Sequence, residues 1–238
     1  MKTVLITGGS RGIGAAMVRR FAAGGYRVAF VFEKAREAAE QLAKETGAYA
    51  IQADIGVACE ARRAVTEAKA ALGEIDVLIN NAAISSFSLF TDIAEAAWER
   101  IFAVNVNGAF YCTQSVLPDM ISRKQGSIIN VSSMWGQVGA SCEVHYSATK
   151  AALIGMTRAL AKEVGPSGIT VNCIAPGVIA TEMNGALDKD TLAALAEETP
   201  LGRLGEPAEI AECAYFLAGD GARFITGQVI GVNGGFVI

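Results

Sequence analysis

Seven short apolar runs alternate with helix-patterned stretches from one end of the chain to the other. KTVLIT (2–7), YRVAFVF (26–32), AYAIQA (48–53), IDVLIN (75–80), GSIINVS (126–132), GITVNCIA (168–175) and GQVIGV (227–232) read as buried strands. Between them, stretches such as AAMVRRFAAGG (15–25) and the segment around 60–72 carry apolar residues at helical spacing. Strand followed by helix, repeated, implies parallel strands joined by crossovers, with helices covering both faces of the sheet. No linker or low-complexity stretch divides the chain, so residues 1–238 are expected to form one α/β domain, a doubly wound parallel seven-stranded sheet. A hydrophobic fraction of 52% supplies material for a sizeable core.

Composition narrows the function. The net charge is -4 and no dense Lys/Arg cluster occurs, which argues against nucleic acid and anionic membranes as partners. No apolar run reaches membrane-spanning length, and the first strand begins almost at Met1, leaving no room for a secretory apolar segment. The 5 cysteines are odd in number and scattered, without CxxC pairs, and there is 1 histidine. A reducing, cytoplasmic setting and no metal site are expected.

TGGSRGIG (7–14) lies between the first strand and the first helix. Gly8, Gly12 and Gly14 allow a tight turn, a close approach to a pyrophosphate and close helix–strand packing, and the helix N-terminus offers free N–H groups to the anion. In this position a dinucleotide site of the Rossmann type is the expected reading. Ligands of such sheets sit beyond the carboxyl ends of the strands. Two segments that break the rhythm lie there: NAAISSFSLFTDI (81–93) after the fourth strand and residues 181–206 after the sixth, the latter long enough for a lid.

The lone histidine, His145, sits in SCEVHYSATK (141–150), but Tyr146 and Lys150 are the pair at i and i+4, on one helical face. A free phenol titrates near 10 and is a poor acid–base at neutral pH. A neighbouring ammonium is expected to lower that value. His145 points about 100° away from Tyr146 and is expected to pack at a subunit or pocket edge.

TGGSRGIG, NNAA (80–83), Asn105, Ser133, Tyr146 with Lys150, and APG (175–177) together resemble the short-chain dehydrogenase/reductase family, in its order and over essentially the whole chain. TGGSRGIG, PGVIATEM (176–183) and the closing NGG (233–235) are most similar to its 3-oxoacyl-[acyl-carrier-protein] reductase group. The resemblance implies reduction of a carbonyl to a secondary alcohol, as in fatty acid biosynthesis, with Tyr146 as proton donor, Ser133 bonding the carbonyl oxygen, Lys150 tuning Tyr146, and Asn105 steadying a water near the lysine. Ser132 is the rival for Ser133, and the family's spacing to Tyr146 implies the latter. It also implies a cofactor site built from Gly8, Ser10, Arg11, Gly12, Ile13, Gly14, Lys34, Asp54, Ile55, Asn81, Ala82, Tyr146, Lys150, Pro176, Gly177, Val178 and Thr181. Ala83 stands where the family motif has glycine.

By family position the slot that accepts the ribose hydroxyls of NAD falls on Phe32, which has no acceptor; Glu33 follows one residue later and Lys34 two later, Arg11 and Lys34 suit a 2′-phosphate while Glu33 and Lys34 equally suit solvated charges at a helix start, and NADPH is expected rather than NADH. Asp54 accepts from the adenine amino group, caps the next helix, or does both. Arg123 and Lys124 suit an acidic carrier protein, whereas Ser167 stands where a basic residue is common. SMWGQVGASCEVHYS (133–147) also resembles bacterial reductases of the 5-aminopentanone group on elongation factor P, through Trp135 and Glu143, and Glu143 then meets a substrate ammonium or complements the helix N-terminus. A non-catalytic NADP-binding regulator is the alternative of another class, which the complete Asn105, Ser133, Tyr146 and Lys150 set argues against. ALIGMTRAL (152–160) and the long helices suggest a homotetramer or homodimer.

Overall fold

The structure is a computed structural model and describes residues 1–182 and 188–238; Met183 of PGVIATEM and part of the 181–206 segment lie outside them. Strands β1 (Thr3–Thr7), β2 (Arg27–Phe32), β3 (Tyr49–Gln52), β4 (Val77–Asn80), β5 (Gly126–Val131), β6 (Ile169–Pro176) and β7 (Val229–Val232) occupy the seven apolar runs. All pair in parallel, in the order β3-β2-β1-β4-β5-β6-β7. The order reverses between β1 and β4, and this switch point opens a crevice at the carboxyl ends of the strands.

Successive side chains of each strand feed opposite faces. Val4, Ile6, Phe30, Ile79 and Ile129 pack with Met17 and Phe21 of α1 (Gly12–Ala23), Leu42 of α2 (Arg36–Thr46) and the later helix Pro207–Ala218. Leu5, Val31, Leu78, Ile128 and Val171 pack with Val65 of α3 (Ala58–Leu72) and with other helices of the opposite face. This two-sided burial explains why the strands read as continuous apolar runs. Each fully buried aliphatic side chain contributes about 1.5–3 kcal/mol.

On the second face, α4 (Glu95–Phe102) runs through a π-helical turn at Ala103–Asn107 into α5 (Gly108–Arg123). A short helix α6 (Trp135–Val138) then leads to the long α7 (Val144–Val164). Beyond β6, α8 (Lys189–Glu198) starts on Asp188, whose carboxylate accepts from the Thr191 N–H at 2.7 Å, an ordinary N-cap. The last helix, α9 (Pro207–Ala218), begins with a capping box between Glu206 and Glu209. Buried amides cross the sheet: Asn80 donates to Thr113 and Asn130, and Asn130 donates to Thr157. These bonds tie β4 and β5 to α5 and α7, the elements that carry the site.

Candidate active site

The glycine turn is fixed by close packing. A Cβ on Gly14 would lie 2.0 Å from the Gly8 carbonyl oxygen, and one on Gly8, at φ +66, would lie 2.7 Å from the Ala82 Cα. Neither position accepts a side chain. Thr7 and Asn81 complete the turn: Asn81 Nδ2 donates to the carbonyls of Thr7 and Gly8, while the Thr7 hydroxyl accepts from the N–H groups of Asn81 and Ala82. The Asn81 side chain therefore braces the turn. The Arg11 side chain makes no cap on α1, and a helix start without a side-chain cap can offer its first N–H groups to an anion. Thr181 lies beside it, with Cγ2 3.4 Å from where a Gly12 Cβ would stand. Ser10 and Ile13 lie in the same turn, and Pro176, Gly177 and Val178 leave β6 at the same end of the sheet.

Tyr146 and Lys150 lie on the buried face of α7, one turn apart, under the end of β5. The Lys150 Nζ is 2% exposed as a residue, donates to the Val131 carbonyl at 2.8 Å, and stands 5.5 Å from the centre of the Tyr146 ring. Burial lowers its pKa to about 8. With one hydrogen bond to protein among three donors, the amine fits a ribose diol. Ser132 donates to the Lys150 carbonyl at 2.7 Å and is consumed in holding α7 to β5. Ser133, whose oxygen accepts the Trp135 N–H at 3.1 Å, is the serine that faces the phenol.

The expected lowering of the Tyr146 pKa is corrected. Burial and the nearby Glu143 carboxylate raise it well above the usual phenol value, and the Ser133 hydroxyl opposes them only in part. The Lys150 ammonium donates to the Val131 carbonyl and stands 5.5 Å from the centre of the ring. Tyr146 is thus held protonated at neutral pH, the state an acid needs.

Asn105 lies in the π-helical turn and is 1% exposed. Its Oδ1 accepts the Ile84 N–H at 2.9 Å, and its Nδ2 donates to the Ile84 carbonyl at 2.9 Å and to Thr149 Oγ1 at 3.1 Å. It fastens the 81–93 loop to α7 as a positioning residue. The same loop is held by Ser86 on His145 and by the Ser88 N–H on the Cys142 carbonyl. His145 and Ser86 were no part of the expected site; their signal, a buried imidazole bonded to a hydroxyl of a distant loop, is not written in spacing.

At the adenosine end, Ile55 is buried against Gly108. Asp54 caps no helix, since the N-cap of α3 is Val57; its carboxylate accepts from the Gly56 N–H at 2.9 Å and pairs with Arg100 at 2.7 Å. Lys34 is 86% exposed beside Glu33, and Arg11 lies 3.7 Å from Glu182. Arg123 and Lys124 precede β5, at the amino end of the strand and so at the end of the sheet opposite Ser133, and Arg123 is bound to Glu74 and Asp76. They are not at the pocket mouth. Trp135 borders the cleft, its ring edge-on to Phe236 at 5.7 Å, and Glu143, 7% exposed, forms no ion pair among the described residues. Burial pushes its carboxyl pKa up. Among the described residues there is no His/Cys/Asp/Glu group able to hold a metal and no helix long and apolar enough to cross a membrane.

Known proteins are similar to this chain over nearly its whole length. The family model described as enoyl-(acyl carrier protein) reductase matches residues 8–237. The 3-oxoacyl-[acyl-carrier-protein] reductase FabG of Staphylococcus epidermidis is 40% identical over 98% of both chains, and the acetoacetyl-CoA reductase of Shinella zoogloeoides is 42% identical over 98% of both. A blue fluorescent protein from a metagenomic library, solved in complex with NADPH, superposes with a TM-score of 0.93 at 38% identity, covering 100% of this chain and 98% of its own. With the family model and these relatives matching along nearly the whole length, the chain belongs to the short-chain dehydrogenase/reductase family, as an oxidoreductase.

Proposed function

We propose that the protein is an NADPH-dependent ketoreductase that converts a 3-oxoacyl thioester to its secondary alcohol. The observation that carries this reading is the buried Tyr146 phenol beside the Ser133 hydroxyl, with the buried Lys150 amine one turn below and the glycine turn alongside. NADPH, when bound, supplies the hydride that reaches the carbonyl carbon. Tyr146 donates its proton to the carbonyl oxygen, and Ser133 donates a hydrogen bond to the same oxygen, stabilising the charge that develops there. Lys150 keeps two donors for the nicotinamide ribose and holds it under the phenol. The tight glycine turn and α1 take the pyrophosphate, and Pro176, Gly177, Val178 and Thr181 flank the nicotinamide side. The names of the two curated relatives, a 3-oxoacyl-[acyl-carrier-protein] reductase and an acetoacetyl-CoA reductase, support the substrate class.

Glu143 favours a second reading. A buried carboxylate without a cation, next to the acid, suits a ketone that carries an ammonium group, such as the 5-aminopentanone modification of elongation factor P. The two are separated by following oxidation of NADPH with acetoacetyl thioester and with the modified protein in parallel. Turnover of the thioester alone supports the first reading; turnover of the aminated ketone alone replaces it with the second; turnover of neither removes both. Exposed Phe110 on α5 and Phe216 on α9 support a homodimer or homotetramer, read by light scattering.

A further inference from the structure

At the adenosine end, the carboxylates of Glu33 and Asp54 follow the ends of two neighbouring strands, β2 and β3. One guanidinium holds both. Arg100, from α4, places Nη1 2.7 Å from Asp54 Oδ2 and Nη2 3.4 Å from Glu33 Oε1. A Cβ on Gly56 would lie 2.8 Å from that Nη1, so the guanidinium crosses directly over the Asp54–Gly56 turn. Asp54 is itself fixed, its carboxylate by the Gly56 N–H and its own N–H by Glu60 at 2.9 Å.

The charges at this end matter because the two dinucleotides differ here alone, by a 2′-phosphate. A carboxylate free at the end of β2 accepts the ribose hydroxyls of NAD and repels that phosphate. Phe32 removes the acid from the strand end, but Glu33 restores one a residue later, so the sequence by itself is contradictory. The paired state of Glu33 resolves it. We propose that Arg100 is a coenzyme-selecting residue: by binding Glu33 together with Asp54 it draws the Glu33 carboxylate toward β3 and neutralises it, leaving the ribose edge open to a 2′-phosphate that Arg11 and Lys34 can meet. This rests on the dinucleotide reading of the crevice and adds which residue chooses between coenzymes.

Direct binding of NADPH and NADH by calorimetry, without substrate, tests it, with 2′,5′-ADP and 5′-AMP as truncated probes. Arg100→Ala should weaken NADPH and 2′,5′-ADP about tenfold or more, the loss of one close charge pair, while NADH and 5′-AMP change less than about threefold. Adding Glu33→Gln to Arg100→Ala should return most of the NADPH affinity, which a merely structural role of Arg100 would not allow. Arg100→Lys, which keeps the charge, should fall between. Equal weakening of both coenzymes by Arg100→Ala, no recovery with Glu33→Gln, or a parent protein that prefers NADH would overturn the inference. A parent protein that binds neither coenzyme would remove the dinucleotide reading itself.

Discussion

His145 Nε2 lies 2.6 Å from Ser86 Oγ, so the chain's single histidine ties the loop after β4 to the first turn of α7. His145 is 1% exposed, and its Nδ1 has no partner among the described residues. It neighbours the acid in sequence, yet it acts on the loop. Three contacts stitch that loop down: Ile84 on Asn105, Ser86 on His145, and Ser88 on Cys142, which sits in the left-handed region at φ 62.

Ser86→Ala removes one stitch and leaves the reacting groups intact. A hydrogen bond of this kind contributes about 1 kcal/mol, so the KM for the carbonyl substrate should rise about fivefold with little change in kcat. Steady-state kinetics reads the split; an equal fall in kcat would mean that the loop takes part in the chemical step.

Tyr146→Phe keeps the ring and deletes the proton. Turnover should fall by about 10²–10⁴-fold, the usual weight of a general acid, with dinucleotide binding and melting temperature near those of the parent. Rate and calorimetric binding, measured on the same preparation, check it. An unchanged rate would take the acid away from Tyr146.

The strands, their parallel arrangement and the Tyr146–Lys150 face were all legible in the sequence, because spacing along the chain reports which face of an element a residue occupies. What spacing does not carry is which distant partner a polar group finds. Asn105 could be placed on a helix but not on Ile84, and Asp54 could be placed after β3 but not on Arg100, 46 residues away. Arg123 and Lys124 were misread for a directional reason: they stand at the start of β5, and a parallel strand carries its functional groups at the other end. The Tyr146 shift was misread because a shared helical face reports the neighbouring ammonium but not the burial, which raises the phenol.

Lys150 gives a stability signature. Its folded-state pKa of about 8 is below the ordinary 10.5, so between those values the unfolded chain binds the extra proton and stability rises with pH. Below about 8 both states are charged and the cost of burying the ammonium is carried in full. Lys150→Met lacks this term. The stability of the parent relative to the variant should therefore climb from pH 8 to 10.5, by on the order of 3 kcal/mol, in urea titrations at matched ionic strength. A flat difference would mean that the amine is not desolvated as the fold implies.

Glu143→Gln tests the electrostatics of the acid. The Glu143 carboxylate raises the Tyr146 pKa, because a phenolate beside it would be a second negative charge in a buried site. Replacing it with a neutral amide lowers that pKa. The reduction needs the protonated phenol, so the alkaline limb of kcat/KM should move to lower pH in the variant, while the rate on the acid side of the limb is kept for a neutral thioester. An ammonium-bearing ketone should respond differently: it loses its counter-charge as well, and its KM should rise across the whole range. A pH profile measured with both kinds of substrate reads both effects; a limb that moves to higher pH would contradict the placement of Glu143 beside the phenol.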